Sequence, residues 1–384
     1  MPKSALLVSY SNIERDPRVL RQIQWLTSAS YEVVTIGLGE SPTTSIKTHF
    51  QLKKRSLLFR TVAYVLVRKR FRYLLLIEHP NRYLRQALYK LGNFDLVVFN
   101  DIDLLPLAIK LKQDEQIARI DTRFHLDLHE YFPDHGIGLT WRLLFKCYSE
   151  WLQTELSAET WDSISTVSPS IAELYEESKI LNSVSYILSA PKKETLQIAR
   201  CSENRIDLVY HGTVDLRRGL MDLVNAVQYL DNRFHLNLVL VGSARNISKL
   251  ERQARNRPER IHFWDSVPTT EIAKLISRFD IEVIFYIPKS LNLLHALPNK
   301  YLEAVQANLA IIHGQSPSMQ TISDRYGNGI TVGGWTFEAL IERLNLLTTH
   351  EINSLKTNSS IARSDLCSEV EGVRFLNLVE GNPK

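Results

Sequence analysis

Lys300 and Glu303 stand three residues apart in the stretch LPNKYLEAVQANLAIIHG, Leu297 to Gly314. Leu302, Val305 and Leu309 fall at helical spacing, Ala304 and Ala307 favour a helix, and Leu309 to Ile312 suits a buried strand. Pro298 fits the first helical position and Asn299 fits a cap, so a helix begins here and Asn308 ends it. A cation in a first helical turn opposes the helix dipole by roughly a few tenths of a kcal/mol unless an anion lies nearby. Lys300 therefore suggests a phosphate, and Glu303 can accept hydrogen bonds from the vicinal hydroxyls of a sugar. Together they point to a nucleotide diphosphate site; the competing reading is an ordinary surface i,i+3 pair.

Two further constellations carry chemistry. Gly212 ends a strand and Asp215, Arg217, Arg218 and Gly219 lead into a helix, so a basic loop faces the carboxyl edge of a sheet, where arginines bind phosphate. In RFHLDLH, Arg123 to His129, strict alternation puts His125, Asp127 and His129 on one face and Phe124, Leu126 and Leu128 on the other. Glu130, Tyr131, Phe132 and Pro133 follow at the strand's carboxyl end. Histidines and a carboxylate sharing one face can ligate a metal, which makes a metal-dependent hydrolase using His125, Asp127 and His129 an alternative. That reading leaves Arg218, Lys300 and Glu303 without a role.

The elements that must position these residues repeat strand, helix, strand. Ala5–Ser9, Glu32–Leu38, Phe94–Asn100, Arg123–His129 and Ser163–Ser168 read as strands of a first array. Asp16 and Pro17 open a helix buried through Val19, Leu20, Ile23 and Leu26, Asp101 opens another, and Ser168 caps the helix Pro169–Glu177. The loop bearing Asn12, Arg15, Asp16 and Arg18 lies at a strand's carboxyl end, where ligands of parallel sheets bind. Ser189 to Cys201 has no clear period and marks a domain boundary. A second array follows, with strands at Asp207–His211, Leu236–Val241, Arg260–Phe263, Glu282–Tyr286 and Leu309–Ile312. Tyr326, Gly327, Asn328 and Gly329 read as a turn before one more strand, and a final helix lies near Ser368 to Asn377.

At 384 residues, 44% hydrophobic and 23% charged, the chain is long enough for two domains. Cys147, Cys201 and Cys367 fit no zinc or disulfide spacing and are expected to be free thiols in a reducing compartment. No apolar run approaches the ~18 residues of a membrane span, so a cytoplasmic protein is expected. Charge is uneven. Between Lys47 and Lys90 there are twelve Lys or Arg against the single acid Glu78, so this segment carries +11 of a chain whose net charge is +4. Within it, residues 56–78 interleave apolar residues with arginines, as a helix on an anionic membrane surface or beside an acidic acceptor would, or as a core-packed helix with a wet basic face. No nucleic-acid motif accompanies the charge, and neither βα turn shows the glycine pattern of a dinucleotide site.

Six motifs in order, RDPRVLRQIQWL, DLHEYFP, STVSPSIAELY, YHGTVDLRRGL, LVLVGS and LPNKYLEAVQANLAII, make the chain resemble a retaining glycosyltransferase of the GT-B fold, in the family 4 group. The resemblance implies two Rossmann-like, doubly wound domains facing a cleft. The first, residues 1–190, would bind the acceptor; the second, residues 191–365, the nucleotide sugar; and residues 366–384 would form a helix returning to the first. It implies that Glu303 binds ribose hydroxyls, that Arg218 contacts the diphosphate, and that His129 lies near the transferred sugar with Asp127 and Glu130 supporting it. Gly212, Thr213, Arg217, Pro298 and Asn299 complete the donor side, while Arg15, Asp16, Arg18 and Asp101 join the acceptor side.

The family needs no bound metal and no cofactor beyond a donor such as a UDP- or GDP-sugar, so Arg218, Lys300 and helix amides would stabilise the leaving diphosphate. The acceptor would be a glycan or lipid-linked glycan, with the enzyme peripheral at the inner face of a membrane. Two positions depart from the pattern: His295 stands where the family's first glutamate belongs, and Thr213 where an arginine usually follows the glycine. Arg217 is the candidate replacement for that arginine. A catalytically inactive nucleotide- or glycan-binding relative is the remaining alternative.

Overall fold

The computed structural model describes residues 2–43, 45–53, 88–115, 117–134, 150–158, 160–256 and 258–381. The basic, apolar-interleaved stretch 56–78 and Cys147 lie outside the described residues, and a helix expected over residues 139–161 is described only from residue 150 onward. Two compact units emerge: residues 1–188 with 372–384, and residues 189–371.

The first unit is built on seven parallel strands in the order β3-β2-β1-β4-β5-β6-β7. They are β1 (Ser4–Asn12), β2 (Glu32–Leu38), β3 (Thr48–Gln51), β4 (Phe94–Asn100), β5 (Ala118–Leu128), β6 (Ser163–Thr166) and β7 (Ser185–Tyr186). Alternation along the strands feeds two cores. Ala5, Leu7, Val33, Leu96 and Val98 pack with Ile23 and Leu26 on one face, while Leu6, Val8, Val34, Val97 and Phe99 pack on the other. Apolar residues on both faces are what a sheet covered by helices on both sides requires.

β3 and β7 were not expected from the sequence. Both are edge strands of two to four residues, too short to show a period. The helix after β4 is preceded by a 3-10 turn, Ile102–Leu104, which Asp101 caps, and the helix proper runs Leu105–Lys112. Ser168 precedes the helix Pro169–Glu177 but makes no side-chain capping bond.

The last helix, Ser368–Glu380, joins the first unit from Gly372 onward. A side chain at Gly372 would meet the Trp25 ring at 2.6 Å, so glycine permits this close approach. Fully buried Phe375 then packs on Trp25 at 5.4 Å between ring centroids and edge-on to His125 at 5.5 Å. Glu380 accepts hydrogen bonds from Lys3 and Tyr31 and fixes the helix end.

The second unit repeats the plan with six parallel strands in the order β10-β9-β8-β11-β12-β13. They are β8 (Ile206–Thr213), β9 (Phe234–Val241), β10 (Ile261–Trp264), β11 (Ile281–Ile284), β12 (Ala310–His313) and β13 (Gly329–Thr331). In both sheets the strand order reverses beside the first strand, between β1 and β4 and between β8 and β11. Open sheets of this kind bind ligands at the carboxyl ends beside that reversal. Cys201 and Cys367 are buried free thiols. Among the described residues no helix is long and apolar enough to cross a membrane.

Phe375→Ala should lower the stability of the first unit by about 3–5 kcal/mol, read from urea unfolding followed by tryptophan fluorescence. Val373→Ala, on the exposed side of the same helix, should stay within about 0.5 kcal/mol of the parent.

Candidate functional site

At the carboxyl end of β8 the second unit holds a cavity of about 490 Å³. Gly212, at φ +120°, turns the chain there, and the Lys300 ammonium lies 3.7 Å from where a Cβ on it would sit. That ammonium also covers the Tyr210 ring at 3.6 Å. Lys300 belongs to the helix Asn299–Gln306, where the roles expected for the two preceding residues are exchanged. Pro298 has extended backbone and is the cap; Asn299 is the first helical residue. A proline cap has no side-chain acceptor, the first turn has no acid, and no side chain caps this helix end. Its leading N–H groups and Lys300 therefore concentrate positive potential beside the cavity.

Thr213, Arg218, Pro298, Asn299 and Glu303 line the same cavity. Arg218 stacks near Tyr286 at 5.9 Å and lies 3.7 Å from Asp215, half-exposed and directed to the cavity. Arg217, the expected substitute for a missing arginine, does not serve there. Its guanidinium makes a two-pronged contact with Asp215 at 2.9 and 3.0 Å and is 86% exposed, because Asp215 caps the 3-10 turn Leu216–Arg218 and draws it back. His295 ends the short helix Leu291–His295 and is not among the residues lining the cavity.

Two further residues join it: His211, whose position at a strand end allowed either a cleft or a structural role, and Glu282, which was not expected from the sequence. His211 Nδ1 is 2.9 Å from Glu282 Oε2, and its Nε2 is 2.8 Å from Glu303 Oε2. The pleat explains the meeting: Glu282 pairs in register with Val209, and His211, two residues on, shares Val209's face. Glu282 and His211 are buried; the Glu303 side chain is 14% exposed. Burial pushes the His211 imidazole down, but the charges and hydrogen bonds of Glu282 and then Glu303 outweigh it and hold its pKa at about 9. A lone glutamate in the apolar run IEVI was the sequence signal for this pairing, because a buried carboxylate requires a partner.

In the first unit the expected chemistry turns inward. Arg18 and Asp127 form a buried, two-pronged ion pair, Nε to Oδ2 and Nη2 to Oδ1, each at 2.6 Å. Gln22 donates to Oδ2 at 2.6 Å and Ser165 to Oδ1 at 2.7 Å. Burial pushes the Asp127 carboxyl up, and Arg18 together with His129 overcomes this and holds it well below the usual carboxylate range. With its hydroxyl proton on Asp127, Ser165 can only accept from His125 Nε2 at 3.0 Å, and Ser163 then donates to His125 Nδ1 at 2.8 Å. Both ring nitrogens of His125 and both oxygens of Asp127 are thus occupied. The metal-ligand reading of His125, Asp127 and His129 is corrected by this network, and no cluster suited to a metal occurs among the described residues.

Arg18 and Asp127 are accordingly placed in the core rather than on an acceptor surface. Asp16 caps the helix Pro17–Ser28, and Arg15 is exposed against Glu14. Asp101, at φ +76°, caps the turn after β4. Glu130 is exposed and offers its carbonyl to Tyr175. His129 remains partly exposed, with Nε2 at 3.1 Å from Asn100 Oδ1 and 3.6 Å from Asp127. Burial lowers its pKa, but Asp127 and then Asp101 raise it above the ordinary value overall.

The sequence model for the glycosyl transferases group 1 matches residues 205–350. No curated protein sequence matches the chain. Solved structures match over nearly its whole length. Sucrose-phosphate synthase from Thermosynechococcus elongatus superposes with a TM-score of 0.71 at 15% identity, covering 99% of this chain and 98% of that one. Anabaena HepE in complex with UDP gives 0.71 at 11% identity, covering 99% and 100%. A glycosyltransferase from Rickettsia africae gives 0.68 at 12% identity, covering 99% and 98%. At these identities the likeness establishes the fold, which is GT-B as the sequence motifs implied.

Arg18→Met should cost about 3–5 kcal/mol in chemical unfolding at pH 7, because it leaves the Asp127 charge buried without its guanidinium partner. Acid should destabilise both units. His125 and His313 are buried with pKa values of about 4, so between pH 6.5 and 4 the unfolded chain takes up protons that the native chain refuses. Stability then falls with pH by roughly 3 kcal/mol at most per histidine. His211 has the opposite sign: its contribution is complete below pH 6.5 and is lost as pH rises toward 9. Urea midpoints measured from pH 4 to 9.5 should therefore peak between those limits.

Proposed function

We propose that this chain, a glycosyltransferase of the GT-B fold carrying a glycosyl transferases group 1 domain in its second unit, moves a hexosyl group from a nucleotide-diphosphate sugar to a glycan or lipid-linked glycan acceptor, with retention of anomeric configuration and without a bound metal. The observation that carries this reading is one cavity lined by Lys300 beside Gly212, by Arg218, and by the Glu303 carboxylate in contact with His211. Anabaena HepE, similar in fold, was solved with UDP and with UDP-glucose, which favours a UDP-sugar donor here.

In this reading the diphosphate lies between Lys300, Arg218 and the uncapped amides of the helix Asn299–Gln306. Their positive charge is in place before reaction, so it stabilises the negative charge that grows on the leaving diphosphate. Supply of that charge by side chains and amides is the support for metal independence. Glu303 keeps Oε1 available to accept from ribose hydroxyls, since His211 occupies Oε2. Val239, Val241, Val267 and Ile272 give the cavity an apolar wall suited to a base, with Ser266 and Thr269 supplying hydroxyls.

In the chemical step the bond from the anomeric carbon to the diphosphate oxygen breaks as the acceptor oxygen bonds to the same face. The acceptor's proton passes to a leaving phosphate oxygen. His129, partly exposed beside Asn100, is assigned to hydrogen bonding with the transferred sugar. The +11 charge of residues 47–90 supports an anionic acceptor or membrane surface as partner.

Turnover tested across UDP-, GDP- and ADP-sugars should single out one donor class, and a thermal shift with the matching nucleoside diphosphate should accompany it. Lys300→Met should lower kcat by about 10²–10³-fold, as loss of a preorganised charge does at other leaving groups. Millimolar nucleoside diphosphates giving no thermal shift, or a product of inverted configuration by NMR, would overturn the corresponding part of the reading. Cosedimentation with vesicles should rise with anionic lipid and fall as salt shortens the ~10 Å Debye length of 0.1 M solutions; no binding at any salt would exclude the membrane partner.

A further inference from the structure

Glu303 is the one carboxylate on its helix assigned to the ribose, and its position is set from outside that helix. His211 reaches it from β8 at 2.8 Å, and Glu282 reaches the other ring nitrogen of His211 from β11 at 2.9 Å. A neutral imidazole has one N–H and one lone pair. Between two carboxylates it would donate to one and set its lone pair against the other. Two short contacts to acceptor groups therefore call for the imidazolium, which donates at both nitrogens.

Glu282 supplies a second, independent observation. It is fully buried, and among the described residues its Oε1 has no hydrogen-bond partner. A buried carboxylate held by a single contact is worse for stability than an apolar residue of similar size. Its neighbours are apolar, with Val209 beside it on β8 and Ile311 on β12. Packing alone gives no reason for a charge there. The contact that Glu282 makes leads through His211 to the cavity and ends at Glu303.

We propose that His211 and Glu282 are positioning residues for the donor: His211, anchored by Glu282, holds Glu303 in the rotamer that accepts the ribose hydroxyls of a nucleoside diphosphate. This rests on the donor-site reading given above. The charged and titratable groups around the histidine are Glu282 on β11, Glu303 and Lys300 on the helix Asn299–Gln306, Tyr210 on β8, and Asp215 and Arg218 in the loop that follows. β9 presents Val239 beside it. Loss of the His211 proton removes one of the two N–H donors, so one carboxylate loses its partner and Glu303 is released. Ribose discrimination should then fade toward pH 9.

The test compares UDP with 2′-deoxy-UDP by calorimetry from pH 7 to 9.5, substituting the GDP or ADP pair where the parent binds that nucleotide more tightly. The parent should bind the 2′-deoxy form on the order of 10-fold more weakly at pH 7, the loss of one hydrogen bond to a charged group. In the His211→Leu/Glu282→Leu double variant, which removes both buried charges together, that penalty should fall below about 2-fold while the diphosphate is still bound. Glu282→Gln keeps the shape of the site and should move the alkaline loss of ribose discrimination down by about one pH unit or more.

A parent that binds none of the three diphosphates would overturn the donor-site reading itself. A parent that binds, with Glu303→Ala erasing ribose discrimination while the double variant and Glu282→Gln both behave as the parent, would overturn the positioning role alone. Should the double variant fail to fold, the pH profile of Glu282→Gln decides: an unshifted profile overturns the proposal.

Discussion

A carboxylate inside a parallel sheet must be partnered, and in both units the partner ties a helix to the carboxyl ends of the strands. Buried charge costs several kcal/mol unless attraction and hydrogen bonds offset it. Asp127 on β5 meets this demand with Arg18 and Gln22, both from the helix Pro17–Ser28, and with Ser165 of β6. Glu282 on β11 meets it through His211 of β8, whose other nitrogen engages Glu303 of the helix Asn299–Gln306. Each helix is thereby fixed in rotation as well as in place, which apolar packing alone does less sharply because hydrophobic contact is non-directional. The pose of Lys300 and Glu303 against the β8 turn depends on this.

Much of the architecture was legible in the sequence, and the reasons are local. The β2 range Glu32–Leu38, the β4 range Phe94–Asn100 and the helix Pro169–Glu177 are bounded by their own residues. In the second unit each expected strand appears within two residues at either end. What stayed hidden depends on which strands become neighbours. β3 and β7 are too short to carry a period, and their existence follows from a sheet edge already formed. Arg18 looked like a loop cation beside a ligand, because nothing local reveals that Asp127, 109 residues later, lies across from it. His211 and Glu282 are 71 residues apart and come together only through the β8–β11 pairing. The helix that carries Lys300 and Glu303 to the cavity was legible by contrast, since both residues are encoded within one turn.

Buried charges divide into those whose bonds close among themselves and those whose bonds lead to a cavity, and this division separates the core of the protein from its candidate site. Lys356 is almost fully buried, yet it donates to the Phe279 carbonyl and to Asp280, whose other oxygen accepts from the Asp207 amide. That network ends inside the fold and has no ligand to wait for. Asp127 is the same: four hydrogen bonds saturate it, and only His129 at its margin remains partly exposed. Glu282, His211 and Glu303 form an open chain instead. It begins at an oxygen with no hydrogen-bond partner among the described residues, passes through an imidazole between two acceptors, and ends at a carboxylate that is 14% exposed in a cavity already carrying Lys300 and Arg218. An open chain of this kind is less stabilising than a closed one. The final acceptor can be satisfied by donors from a bound molecule, and the ribose hydroxyls of a nucleotide sugar are donors of that kind.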